Sequence, residues 1–188
     1  MTAIQETLRD SAIVNFSGAV TMVVDDSAFS QTLTMQALSG FGIKTSHACA
    51  SAAMAMRILQ EKTIDLLLVD CEMPGMDGYE LVRWLRRSGL DPNAFAPVIM
   101  TANHVRRSRV SEARDCGANY LVTKPFSAAA LLERIVWVSR DGRPFLEVGD
   151  YFGPDRRFHD EPFDGPERRS DRIRKAAADA RASEMAGS

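Results

Sequence analysis

The sequence is short of the residues that build disulfide frameworks and zinc sites. Its 188 residues include only 3 cysteines and 3 histidines, and no two cysteines form a C-x-x-C pair. An odd number of separated cysteines favours reduced thiols in the cytoplasm over a disulfide framework. The histidines lie far apart without ligand spacing, which argues against a zinc site.

Strong net charge and long apolar runs are also missing. The formal net charge is −2, which is too small to argue for nucleic acid or a membrane surface as a partner. No apolar run approaches the roughly 20 residues that a membrane span needs. Residues 1–18 contain acids and no long apolar core, so they do not resemble a secretory signal. Their spacing of apolar residues fits a short lead-in helix and fits a frayed end equally well.

Five short apolar runs alternate with five segments of helical spacing between residues 19 and 139. The runs are residues 19–24, 43–48, 64–69, 97–100 and 119–122. Such alternation predicts a parallel sheet with helices on both faces. The run at 64–69, IDLLLV, is continuously apolar, which is typical of a strand that is buried on both sides.

The composition changes after residue 139. Residues 140–188 are rich in Gly, Pro and mixed charge, and G-P-D-R-R at 153–157 is echoed by G-P-E-R-R at 165–169. We interpret residues 140–188 as a mainly disordered tail. Its aromatic residues, including Tyr151 and Phe152, are unusual in a purely solubilising tail and favour a docking role.

Polar residues follow the predicted strands at the point where each strand ends. Asp25 and Asp26 end the first strand, Asp70 ends the third, Thr101 ends the fourth, and Lys124 follows the fifth. Open α/β sheets bind their ligands at this edge. Three carboxylates that converge there would repel one another unless a cation shares them, and oxygen ligands favour Mg²⁺. With a lysine and a hydroxyl nearby, the arrangement indicates phosphoryl transfer to Asp70.

These motifs, in this order, resemble the receiver domain of bacterial response regulators. The resemblance covers residues 19–139 and is carried by Asp25-Asp26, by Asp70 with the following M-P-G-M-D-G, by Thr101-Ala102 and by Lys124-Pro125-Phe126. It implies a flavodoxin-like, doubly wound sheet of five parallel strands in the order 2-1-3-4-5, with helices on both faces. The domain would then occupy residues 19–139.

The resemblance also implies a role for each motif residue. Asp70 would accept a phosphoryl group from a histidine kinase or phosphotransfer protein, and Thr101 and Lys124 would contact the phosphoryl oxygens. The implied Mg²⁺ ligands are Asp25, Asp26, Asp70 and the backbone carbonyl of Glu72. The phosphorylated form would bind a downstream protein through the surface of helix 4, strand 5 and helix 5, and through the tail. The chain would assist only its own phosphorylation and dephosphorylation and would not otherwise be an enzyme.

One position departs from the family pattern. Leu121 stands three residues before Lys124, where receivers usually carry Tyr or Phe, and Tyr120 should point to the opposite face of the sheet. A degenerate receiver that binds partners regardless of phosphorylation is therefore an alternative. No DNA-binding output domain is expected, because residues 140–188 contain no helix-turn-helix pattern and no second core.

Two other classes fit the residues less well. An aspartate-nucleophile phosphatase of the haloacid dehalogenase type would have Thr or Val after the second acid, where this chain has Met73. A flavodoxin-like cofactor binder would need a Ser/Thr/Gly-rich phosphate loop after the first strand. Asp25 and Asp26 would repel a phosphate there.

Overall fold

The computed structural model describes Phe16 and residues 18–103 and 107–156, without the side chains of residues 107–109. Its elements are β1 (Thr21–Val24), α1 (Ala28–Gly40), β2 (Thr45–Cys49), α2 (Ala52–Glu61), β3 (Leu66–Asp70), α3 (Gly78–Arg87), a 3₁₀ turn (Asn93–Phe95), β4 (Val98–Ala102), α4 (Arg107–Cys116), β5 (Tyr120–Thr123), α5 (Ala128–Ser139), β6 (Phe145–Val148) and β7 (Tyr151–Pro154). The predicted lead-in at residues 1–18 falls almost wholly outside the described residues. Among the described residues, no helix combines the length and the apolar character needed to cross a membrane.

The main sheet has five parallel strands in the order β2-β1-β3-β4-β5. The predicted doubly wound fold and its strand order are therefore confirmed. Neighbouring strands in this order run in the same direction, so all their carboxyl ends meet at one edge. The register places Asp70 opposite Thr101.

The central strand β3 faces two separate apolar layers, and all five of its residues are buried. Leu67 and Val69 pack into the layer formed with α2, α3 and α4. Leu66 and Leu68 pack into the layer formed with α1 and α5. Because both faces of the strand are covered, every position must be apolar up to the strand end, which explains the continuous apolar run in the sequence.

Besides Ser51 at α2, three side-chain caps start helices directly after strands or their loops. Ser27 caps α1, Ser127 caps α5, and Asp77 forms a reciprocal capping box with Glu80 at the start of α3. Each cap satisfies backbone N–H groups that the first turn leaves free. The sequence predicted all three caps. They bring helix N-termini to the same edge of the sheet as the strand-end acids.

The C-terminal segment differs from the prediction. Strands β6 and β7 form an antiparallel hairpin, here called the C-terminal hairpin (residues 145–154). A two-residue loop joins them, and its Gly149 has a φ of 58°, which fits the tight hairpin turns that place glycine first. The hairpin packs against α3 and α4. Residues 140–156 are thus not a disordered tail, while residues 157–188 lie outside the described residues.

Candidate functional site

One lysine joins the ends of three strands. Lys124 Nζ lies 2.7 Å from Asp25 Oδ2 and 2.6 Å from Asp70 Oδ1. The side chains of Asp25 and Asp70 are 5% and 4% exposed. The ends of β1, β3 and β5 therefore meet around a buried group of two carboxylates and one ammonium.

Further hydrogen bonds fix the orientation of the Asp70 carboxylate. Thr101 Oγ1 donates to Asp70 Oδ1 over 3.4 Å, a long bond, and the backbone N–H of Glu72 donates to Asp70 Oδ2 over 2.9 Å. Asp25 is held in a similar way, because the backbone N–H of Ser27 donates to its Oδ1 over 2.9 Å. Both carboxylates thus have a defined position before any ligand binds.

Gly78 lies directly against the backbone of Asp70. A Cβ atom at position 78 would be 2.1 Å from the carbonyl oxygen of Asp70. The N–H of Gly78 also donates to the carbonyl of Cys71 over 3.1 Å. The first residue of α3 therefore closes the loop that follows Asp70. Only glycine fits at this position.

The pKa values of Asp70 and Lys124 are both shifted in the folded protein. Desolvation raises the pKa of Asp70, and Asp25 adds to this, although Lys124 and the N–H of Glu72 act in the opposite direction. Desolvation would lower the pKa of Lys124, but its hydrogen bonds to Asp25 and Asp70 outweigh that effect and the pKa is raised. Lys124 is therefore charged at neutral pH, and Asp70 is a carboxylate with an elevated proton affinity.

The predicted metal ligands are only partly brought together. Asp25 and Asp70 share Lys124, whereas Asp26 and Glu72 are exposed. Within the described residues, no group of three or more His, Cys, Asp or Glu side chains is placed to hold a metal ion. Lys124 thus brings two of the three predicted carboxylates together, and a role for Asp26 as a metal ligand stays a prediction.

Two carboxylates still fit Mg²⁺. The ion is commonly bound through one or two carboxylates and keeps several waters. Asp25 and Asp70 carry two negative charges against the single positive charge of Lys124, so a cation would balance the remainder. The available donors are oxygens, which suit Mg²⁺ and not zinc.

Tyr120 and Leu121 point to opposite sides of the sheet, as the strand period predicted. Leu121 packs with the layer of α2, α3 and α4, and Tyr120 packs with the layer of α1 and α5. The ring of Tyr120 lies 5.5 Å from that of Trp137, centroid to centroid. No aromatic side chain of β5 therefore faces α4.

The comparison with known families decides the identity of the domain. The model of the response regulator receiver domain matches residues 21–136. The chain belongs to this family. The match ends before β6 and β7, so the C-terminal hairpin lies outside it.

Two curated relatives are chemotaxis proteins. The chain is 27% identical to CheY-3 of Vibrio cholerae over 114 residues, which cover 61% of this chain and 86% of the relative. It is 30% identical to CheY of Pseudomonas aeruginosa over 114 residues, which cover 61% of this chain and 90% of the relative.

Solved receiver structures have the same fold. The chemotaxis protein CheY4 of Vibrio cholerae superposes with a TM-score of 0.59 at 26% identity, covering 64% of this chain and 98% of that one. The receiver domain of the Arabidopsis thaliana histidine kinase CKI1, solved in complex with Mg²⁺, gives 0.57 at 24% identity, covering 64% and 93%. Receivers are signalling modules that interact with histidine kinases or phosphotransfer proteins and with downstream targets.

Proposed function

We propose that Asp70 accepts a phosphoryl group from the phosphohistidine of a histidine kinase or phosphotransfer protein. The phosphorylated chain then binds a downstream protein in the cytoplasm. The observation that carries the proposal is the buried carboxylate of Asp70, oriented by Lys124, Thr101 and the N–H of Glu72. A strand-end turn residue would need no such set of partners.

The chemistry needs a nucleophile and stabilisation of charge. A lone pair of the Asp70 carboxylate forms the new O–P bond while the P–N bond to the donor imidazole breaks. The electron pair of that bond stays on the imidazole nitrogen, which takes up a proton from solvent. Lys124 supplies a positive charge for the phosphoryl oxygens and Thr101 supplies a hydroxyl donor, so the protein contributes by positioning and charge compensation.

Mg²⁺ belongs to the proposal as the cofactor. Asp25, Asp26, Asp70 and the backbone carbonyl of Glu72 would hold it, as the family resemblance implies. Bound there, the ion supplies positive charge for the phosphoryl group. The Mg²⁺ in the CKI1 receiver is consistent with this assignment.

Phosphate uptake from acetyl phosphate with Mg²⁺ tests the assignment. The wild type should gain one base-labile phosphoryl group, detected by intact mass, and Asp70→Asn should gain none. Asp91→Asn is the matched control, because Asp91 is an exposed acid in the loop after α3, and it should be phosphorylated like the wild type. Equal uptake by Asp70→Asn and the wild type would show that the acceptor is elsewhere.

A second candidate is a receiver that binds its partner regardless of phosphorylation. The location of Leu121 favours it, because β5 presents no aromatic ring toward α4 to report the phosphorylated state. Binding of the target by the wild type, with and without acetyl phosphate, and by Asp70→Asn separates the two functions. Equal affinity of all three would establish the second candidate. Steady turnover of p-nitrophenyl phosphate would instead revive the phosphatase alternative.

A further inference from the structure

The C-terminal hairpin contacts the end of α4 backbone against backbone. A Cβ atom on Gly153 would lie 2.8 Å from the Cα of Gly117, the residue that follows α4. A Cβ atom on Gly117 would lie 2.8 Å from the carbonyl oxygen of Phe152. The side chains of Tyr151 and Arg86 also lie 2.8 and 3.0 Å from these two Cβ positions, but a main-chain atom is as close or closer at each. The distance between α4 and β7 is therefore set by the two main chains.

Arg86 ties the same contact to the rest of the domain. It is 2% exposed, and its guanidinium donates to the carbonyls of Gly117, Ala94 and Ala96 over 2.9, 2.8 and 2.9 Å. Burial lowers its pKa to about 10, so it is still charged at neutral pH. Its Cζ lies 5.1 Å from the ring centroid of Phe145 in β6. One buried cation thus joins α3, the end of α4 and the hairpin.

A second contact holds the last turn of α4. Arg156, just after β7, pairs with Asp115 over 3.3 Å, and its Cζ lies 3.8 Å from the ring centroid of Tyr151. The hydroxyl of Tyr151 donates to the carbonyl of Pro154 over 2.6 Å. The hairpin therefore holds α4 through a side-chain pair as well as through the glycine contact.

Strand β4 connects this region with the phosphoacceptor. Thr101, near the end of β4, donates to Asp70. At the start of the same strand, Val98 N donates to Asn119 Oδ1 over 2.9 Å, and Arg86 donates to the same oxygen over 3.2 Å. A short, hydrogen-bonded route thus runs from Asp70 along β4 to the residues that hold the hairpin.

We propose that the C-terminal hairpin restrains α4 in its unphosphorylated position and thereby opposes phosphorylation of Asp70. The inference rests on the proposed function of Asp70. If phosphorylation moves α4, the glycine contact and the Arg156–Asp115 pair must break. The free energy that these contacts contribute then disfavours the phosphorylated state. Linkage makes the effect reciprocal: phosphorylation must loosen the hairpin by the factor by which the hairpin disfavours phosphorylation.

Gly153→Ala in the full chain tests the first half of the inference. Its Cβ lies 2.8 Å from the Gly117 Cα and 2.8 Å from the Tyr151 hydroxyl, whereas the Cβ of Gly142→Ala, in the same segment, meets nothing within 4 Å. At limiting acetyl phosphate, the ratio of phosphorylated to unphosphorylated Asp70 should rise about 5-fold or more in Gly153→Ala, the lower end of typical coupling between sites. Gly142→Ala should match the wild type. An unchanged ratio in Gly153→Ala would overturn the inference.

Hydrogen exchange of the wild type tests the second half without any substitution. Phosphorylation should speed amide exchange in residues 110–117 and 145–154 by the factor by which the hairpin disfavours phosphorylation. If intact mass shows phosphorylated Asp70 while these amides keep their protection, the hairpin does not restrain α4, and the proposed function stands. If no variant takes up phosphate, the proposed function itself fails.

Discussion

Two buried aspartates at opposite edges of the sheet have pKa values that are shifted in opposite directions. Asp70 is 4% exposed at the carboxyl edge and Asp141 is 3% exposed at the other edge. Desolvation raises the pKa of Asp70, and the opposing effects of Lys124 and the N–H of Glu72 do not outweigh it. Desolvation acts on Asp141 too, but hydrogen bonds from Arg143 and Asn119 outweigh it and the pKa is lowered.

The difference follows from the number of donors around each carboxylate. Arg143 donates to both oxygens of Asp141 over 2.8 and 2.6 Å, and its backbone N–H and the Asn119 amide add two more bonds. Asp70 accepts one short bond from a lysine that it shares, one from a backbone N–H and one long bond from Thr101. The structural carboxylate is saturated, whereas the proposed reactive one keeps capacity for a ligand.

The largest effect is expected at the hairpin edge. Arg86→Met should lower the free energy of unfolding by about 3–5 kcal/mol, because it leaves several buried carbonyls without a donor. Urea denaturation measures the change. Arg83→Met is the matched control on the same helix. Arg83 is half-exposed and 3.6 Å from Glu112, and its loss should cost less than about 1 kcal/mol. Equal losses for both variants would contradict the importance of burial.

At the carboxyl edge, Lys124→Gln should reduce the rate of phosphorylation by acetyl phosphate about 100-fold, the typical cost of one preorganised donor to developing charge. Initial rates by intact mass give the ratio. Lys44→Gln removes an exposed lysine and should leave the rate unchanged. A rate for Lys124→Gln within a factor of two of the wild type would remove this lysine from the reaction.

Asp141→Asn should destabilise the fold by about 2 kcal/mol at pH 7, because hydrogen bonds to a charged group are lost. The folded-state pKa of Asp141 is lowered from its ordinary 3.8. Its contribution is therefore present above that value and is lost as the pH falls through the folded-state pKa. The difference between wild type and variant in urea unfolding should shrink below about pH 4. A constant difference would contradict the assigned charge.

Asp70→Asn should have the smaller and opposite effect, a gain in stability at pH 7 in Mg²⁺-free buffer. The folded-state pKa of Asp70 is raised, so its stabilising contribution exists only at low pH and is lost as the pH rises through that value. The ionised side chain is then less stable in the fold than a neutral amide. Urea midpoints at pH 7 and pH 3 measure the gain and its disappearance. A loss of stability at pH 7 would contradict the comparison.

The carboxyl edge could be predicted from the sequence for a simple reason. Parallel strands all end at one edge, so the residues after each apolar run must meet there, whatever the details of packing. This rule correctly predicted that Asp25, Asp70, Thr101 and Lys124 lie close together. It could not position the exposed side chains of the following loops, so the place of Asp26 in the site stays a prediction.

The opposite edge could not be predicted in the same way. Arg86 looks like an ordinary polar residue of α3, because its burial depends on carbonyls from two later segments of the chain, at Ala94 and Ala96 and at Gly117. The C-terminal hairpin carried a local signal, Gly149 and Asp150 between short apolar stretches, but Gly, Pro and mixed charge around it resembled a disordered segment. Tyr151, interpreted as a docking residue, contacts Arg156 within the same domain, and its docking role stays a prediction.

The contact between Gly78 and the Asp70 carbonyl has a consequence for protein engineering. Residues 71–77 form a loop whose two ends lie against each other, because Gly78 packs on the backbone of Asp70. A chimera that transplants Asp70 into another scaffold must therefore carry residues 70–78 as one cassette.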